Sequence, residues 1–328
     1  MSVPTVLNST ASGAPSLSNA VGSLYNVLKW ALPQLGWSIA SDTPGTYTIV
    51  FQNSPVTGTG NFLRFNDSGT IGSCGGGKAG AQLAISVADT NTCPTTAQNS
   101  WAYNEIFKSE SSTAVAWQII GDERTFILKT LAYYANSGTI LPQAQYFGDI
   151  GSYIPGDAYS FVMINHCQGG NQFSSTSDPS APSQWQSFDL ASARFNTVTA
   201  LTYSSAAPNN VNVLLRDATG TTVSTPFMMY TRPMTSGLTS EITGQPDTRT
   251  NRLFFEVPQV LENGYLRGYL RGIYFSLNQI TSYTNNSLLT PYVFNGLLPG
   301  SVAGISSSVG PTHTGQQYHF LIETALPW

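Results

Sequence analysis

One stretch of the chain carries apolar residues at helical spacing. Between Asn19 and Leu35 they fall at Val21, Leu24, Leu28, Ala31, Leu32 and Leu35, the pattern of an amphipathic helix. Ser18 is suited to cap its start, Gly36 to stop it, and Pro33 to loosen the last turn. A single short apolar face needs a flat partner, and the rest of the chain supplies strands.

Tyr47 to Phe51 and Phe62 to Phe65 are rich in β-branched and aromatic residues, with Pro and Gly between them. Trp117 to Ile120 and Thr125 to Leu128 flank the polar tip Gly121-Asp122-Glu123-Arg124, which predicts a hairpin. Ala158 to Asn165 follows the turn Ile154-Pro155-Gly156-Asp157 as another strand. Further strand-like pieces are Phe195 to Leu201, Val211 to Leu215, Phe227 to Tyr230, Leu253 to Val257 and Tyr318 to Glu323. The expected fold is mainly β: antiparallel sandwich or barrel layers with one short N-terminal amphipathic helix over about residues 19–35. The polar run from Gln168 to Gln184 reads as a linker or long loop. It divides the chain into an N-terminal β-rich domain with the helix (1–168), a linker (169–185) and a C-terminal sandwich-like domain (186–328).

Composition narrows the function. Charged residues are 9% of the 328, against about a quarter in ordinary soluble domains. Apolar residues reach 41%, enough for a core, and the polar share is carried by Ser, Thr, Asn, Gln and Gly. Such side chains are less costly to desolvate than Lys or Glu, so they suit surfaces that become interfaces. With 13 Lys and Arg and a net charge of −4, the chain lacks the basic patch that nucleic acid requires. No run approaches the roughly twenty apolar residues of a membrane span. Met1-Ser2-Val3-Pro4-Thr5 has neither the basic region nor the apolar run of a signal peptide, so synthesis in the cytoplasm is expected. Cys74, Cys93 and Cys167 form no C-x-x-C pair. They are read as unpaired thiols, with a Cys74–Cys93 bridge the alternative.

Candidate chemistry is sparse. His166, His313 and His319 fit no metal or triad spacing. Adjacent residues on a strand point to opposite faces, so His166 and Cys167 do not act as a pair. Asp122, Glu123, Asp149 and Asp157 sit near glycines in turn-like sequence, where acids bond their own backbone. Gly75-Gly76-Gly77-Lys78 lacks the Ser or Thr and the helix of a phosphate loop. The chain is read as non-enzymatic, without catalytic residue, metal or cofactor.

The sharpest local pattern is Gly264-Tyr265-Leu266-Arg267-Gly268-Tyr269-Leu270-Arg271-Gly272-Ile273-Tyr274. On a regular strand, Tyr265, Arg267, Tyr269 and Arg271 share one face. Guanidinium groups interleaved with phenols suit carboxylate pairing and cation–π contact. In so weakly charged a chain, these four residues are the candidate inter-subunit contact, with an arginine meeting an acidic loop of a neighbour.

Gly13-Ala14-Pro15-Ser16-Leu17, Gly36-Trp37, Leu63 to Asp67, Trp117, Asp122 to Arg124, Phe147-Gly148-Asp149, Gly156-Asp157-Ala158, Leu266 to Tyr274 and Ile322 to Trp328 are short segments spread over the chain. Together they resemble the uncharacterised structural proteins of tailed double-stranded DNA phages. The resemblance implies a virion protein made in the host bacterial cytoplasm, with tail or tail tip favoured over capsid decoration. Its partners are then copies of itself and other virion proteins. A host surface glycan is the alternative partner, met by exposed aromatics such as Trp101, Trp185 and Tyr269.

Overall fold

The computed structural model describes residues 2–69, 78–84, 103–109, 111–134, 139–166, 211–215, 219, 228–230, 255–257, 259–262, 265–276, 298–299 and 320–328. The expected loop at 168–184, the strand at 195–201, all three cysteines, His313, His319, Trp101 and Trp185 lie outside the described residues. Among the described residues the fold is mainly β, with antiparallel sheets and one short α-helix, as the pattern predicts.

A five-stranded sheet runs in the order β2 (Ser38–Thr43), β3 (Thr48–Gln52), β4 (Phe62–Asn66), β5 (Lys78–Ala84), β6 (Tyr103–Phe107). A six-stranded sheet runs β1 (Thr5–Asn8), β7 (Trp117–Gly121), β8 (Thr125–Tyr134), β9 (Thr139–Asp149), β11 (Phe161–His166), β12 (Val211–Leu215). Alternation decides which side of each strand is buried. Ile49, Phe51, Leu63, Phe65 and Ile106 from the first sheet, and Leu7, Trp117, Ile119, Phe126, Leu128, Phe147 and Met163 from the second, enter one core. Phe65 meets Phe147 edge-on at 5.5 Å across the two sheets, and Phe147 stacks on Phe126 at 5.0 Å. Trp37 closes the cluster against Phe126 and Phe161. Its indole N–H donates to the Asp122 carbonyl at 2.9 Å, so its polar edge is satisfied inside.

Helix α1 (Ser23–Ala31) adds Leu24, Val27, Leu28 and Ala31 to this core, and the 3-10 turn Leu32–Leu35 adds its two leucines. Pro33 and Gly36 end the helix as expected, with Gly36 at φ 94°. Its start differs. Ser18 accepts the Ala20 N–H in a local turn, and the helix begins only after Gly22, at φ 80°. Val21 is left exposed at 42%. The cap comes from a distant strand end: one Asp67 carboxylate oxygen accepts the Leu24 and Tyr25 N–H groups at 2.8 and 3.2 Å. A remote carboxylate satisfies the same orphan donors as a local serine, with added favourable charge at the helix N-terminus.

The C-terminal part forms two further four-stranded sheets. One runs β10 (Gly151–Ser152), β16 (Tyr265–Tyr269), β15 (Gln259–Glu262), β13 (Met228–Tyr230). The other runs β14 (Phe255–Glu256), β17 (Ile273–Ser276), β19 (Phe320–Ile322), β18 (Leu298–Pro299). Strand pairing crosses the division read from the sequence: β12 joins β11, and β16 joins β10. No helix among the described residues is long and apolar enough to cross a membrane.

Candidate functional site

The segment singled out in the sequence forms β16 and the turn after it, but its faces are not those of a regular strand. Tyr269 pairs Gln259 and Gly268 pairs Val260, whereas Leu261 pairs Leu266, so Arg267 is the extra residue of a β-bulge. A one-residue insertion reverses the alternation beyond it. Leu266 and Tyr269 therefore emerge on the same side, exposed at 55% and 37%. Arg267 and Arg271 are turned inward, exposed at 1% and 2%. The expectation that Arg267 or Arg271 meets an acidic loop of a neighbouring subunit is corrected: the acids they pair with, Asp157 and Asp122, belong to the same chain. Tyr265 pairs Glu262 at the start of β16.

Arg267 holds Asp157 in a bidentate pair, Nε to Oδ2 at 2.6 Å and Nη2 to Oδ1 at 2.8 Å. Asp157 also accepts the Ser152 hydroxyl at 2.7 Å and the Tyr159 N–H at 3.1 Å. The carbonyl of Arg267 accepts the Tyr153 N–H at 2.9 Å, fixing the turn after β10 to β16.

Arg271 reaches the β7–β8 hairpin tip. Nη2 donates to Asp122 Oδ2 at 2.7 Å, and Nη1 to Thr125 Oγ1 at 2.9 Å. Nη2 also donates to the Trp328 main-chain oxygen at 2.9 Å. The Trp328 ring lies against Gly272, where a Cβ would stand 2.1 Å from the indole. The turn reading of the acids holds for Asp122, whose Oδ1 accepts the Arg124 and Thr125 N–H groups, both at 2.9 Å. Asp149 departs from it. Its carboxylate accepts from Asn53, from the Thr59 hydroxyl and N–H, and from Arg124 Nε. Burial pushes the Asp149 carboxyl upward, opposed by the Thr59 hydrogen bond and the Arg124 charge. The Tyr146 hydroxyl donates to the Asp149 carbonyl and accepts the Arg271 N–H, and burial raises its phenol too. Glu123 accepts hydrogen bonds from the Thr57 and Ser2 hydroxyls.

These acids are held by fixed donors and tie five parts of the chain together: the 53–59 loop, the hairpin tip, the end of β9, the turn at Arg271 and the last residues. That is a locking network. The surface feature lies on the other side of the bulge. Tyr153, exposed at 52%, packs its ring 5.8 Å from Tyr269 and donates its hydroxyl to Gln259 Oε1 at 2.8 Å. Ile154 beside it is also exposed. Gly151 makes room for Tyr269, since a Cβ there would stand 2.2 Å from the ring. The sequence offered Tyr269 alone of this group, because the bulge that brings out Leu266 leaves no local signature. Comparison of the chain with protein-family models and with curated proteins finds no match.

Proposed function

We propose that this chain is a non-enzymatic structural subunit of a tailed bacteriophage particle, placed in the tail or its tip and assembled as a symmetric oligomer. The observation that carries the reading is the exposed, uncharged patch of Tyr153, Ile154, Leu266 and Tyr269. Aromatic and aliphatic groups grouped on a surface are what protein contacts bury at their centre. The 9% charge of the whole chain keeps desolvation of the surroundings inexpensive. Closed rings of identical copies are the usual way such a patch is covered in a particle. The resemblance to phage structural proteins supplies the particle, and capsid decoration is the alternative placement within it.

The test is mass spectrometry of washed virions of the phage that encodes the chain. The protein is expected at the stoichiometry of a structural component, and its absence overturns the proposal. A second reading, a module that binds a host surface glycan, is favoured by one detail. Tyr153 and Tyr269 present paired aromatic faces beside the Gln259 amide, a set suited to stacking on and bonding a sugar. Binding on a glycan array that is lost in Tyr153→Ala would select it.

A further inference from the structure

Lys108 and Asp67 are the most closely joined buried pair of opposite charge in the described residues. Lys108 Nζ stands 2.5 Å from Asp67 Oδ1, with the two side chains exposed at 0% and 1%. They come from the ends of strands that are not neighbours, since β5 lies between β4 and β6. The other carboxylate oxygen, Oδ2, accepts the main-chain N–H groups of Leu24 and Tyr25 at the N-terminus of α1. Lys108 Nζ is also held by the Ala20 carbonyl at 2.7 Å. A nitrogen hydrogen-bonded to one oxygen of a carboxyl group lies within about 3–3.5 Å of its carbon, the separation of a near-attack arrangement. Two N–H donors aimed at the opposite oxygen are the composition of an oxyanion hole.

We propose that Lys108 and Asp67 condense into an intramolecular amide crosslink, driven by the fold itself. The proton shared between Nζ and Oδ1 moves to the carboxylate, leaving a neutral amine and a carboxylic acid. Exclusion of water favours this neutral pair, and burial indeed pushes the Asp67 carboxyl upward against the Lys108 charge. The amine lone pair then attacks Cγ, and the C–Oδ2 π pair moves onto Oδ2, where the Leu24 and Tyr25 N–H groups receive the negative charge. Collapse restores the carbonyl. Oδ1 takes a second proton from Nζ and leaves as water. One C–N bond forms, one C–O bond breaks, one water is released, and nothing is oxidised or reduced. The product fastens the ends of β4 and β6 to each other and keeps a carbonyl oxygen on the helix N-terminus, so the cap survives.

The experiment is the intact mass of the purified full-length chain, followed by proteolysis and fragment sequencing. The expected result is a mass lower than the sequence value by one water, with the deficit located in a branched peptide joining Asp67 to Lys108. Lys108→Arg, which retains the cation but not the amine, is expected at its full sequence mass. The inference is overturned if the wild-type chain has its full sequence mass, or if the peptides bearing Asp67 and Lys108 are recovered linear. It is also overturned if a lost water maps to another residue. The wild-type measurement decides the matter even where the variant does not fold.

Discussion

Replacing Asp122 with Ala strands a buried charge. Arg271 is 2% exposed and Asp122 3%, so water does not take over the missing partner. The guanidinium keeps Thr125 Oγ1 and the Trp328 main-chain oxygen and loses the Asp122 carboxylate, the one ion-pair partner it has among the described residues. Breaking one half of a buried pair costs about 3–5 kcal/mol, because the other half stays charged and unpaired. The Arg124 and Thr125 N–H groups lose the acceptor that shapes the hairpin tip, adding about 1 kcal/mol. Against a domain stability of about 5–15 kcal/mol, Asp122→Ala leaves the fold close to its limit. Urea denaturation followed by tryptophan fluorescence reads the loss. Asp122→Asn combined with Arg271→Met removes both charges, so the double variant should lose less than the sum of the single ones. A cost below about 1 kcal/mol for Asp122→Ala, the level of a solvated surface pair, would refute the reasoning. Strict additivity of the two changes would do the same.

Gly272→Ala places a Cβ against the Trp328 indole at a residue with φ 69°. The left-handed backbone and the overlap together cost about 2–5 kcal/mol, and limited proteolysis should then cut the last residues first. Lys129 lies on β8, and burial lowers its ammonium from 10.5 to about 8. Between those values the unfolded chain binds the extra proton, so stability rises with pH from about 8 to about 10.5, by up to about 1.4 kcal/mol per pH unit. Lys129→Met should flatten that rise in denaturation midpoints, and an equal slope in both proteins contradicts the assignment. Leu266→Ser with Tyr269→Ser should shift the chain from oligomer to monomer in sedimentation velocity without changing its circular dichroism. An unchanged sedimentation coefficient shows that copies meet elsewhere.

What was legible in the sequence is what depends on local pattern. The apolar face of α1, the stop at Gly36 and the hairpin around Asp122 follow from residue spacing and turn chemistry. The start of α1 was not legible. Its cap, Asp67, lies more than forty residues along the chain from Leu24, and Ser18 offered a local alternative that the chain does not use for the helix. The arginine pattern around Tyr269 misled for two physical reasons. A bulge at Arg267 reverses the alternation, and it lies in the pairing of β16 with β15, a strand outside the segment. The partners Asp157 and Asp122 are 110 and 149 positions away, so nothing in the segment marks its arginines as internal. Among the described residues Lys108, Arg267 and Arg271 lie in the interior, and each meets an opposite charge of the same chain.

The central claim, a subunit covered by its neighbours through the Tyr153–Leu266–Tyr269 patch, is tested most directly by a cryo-EM map of the whole virion. The account predicts symmetric copies of the chain in the tail or its tip, with that patch buried under an adjacent subunit and Arg267 and Arg271 still paired within their own protomer. A map in which the chain has no density, or in which the patch faces solvent in every copy, contradicts it.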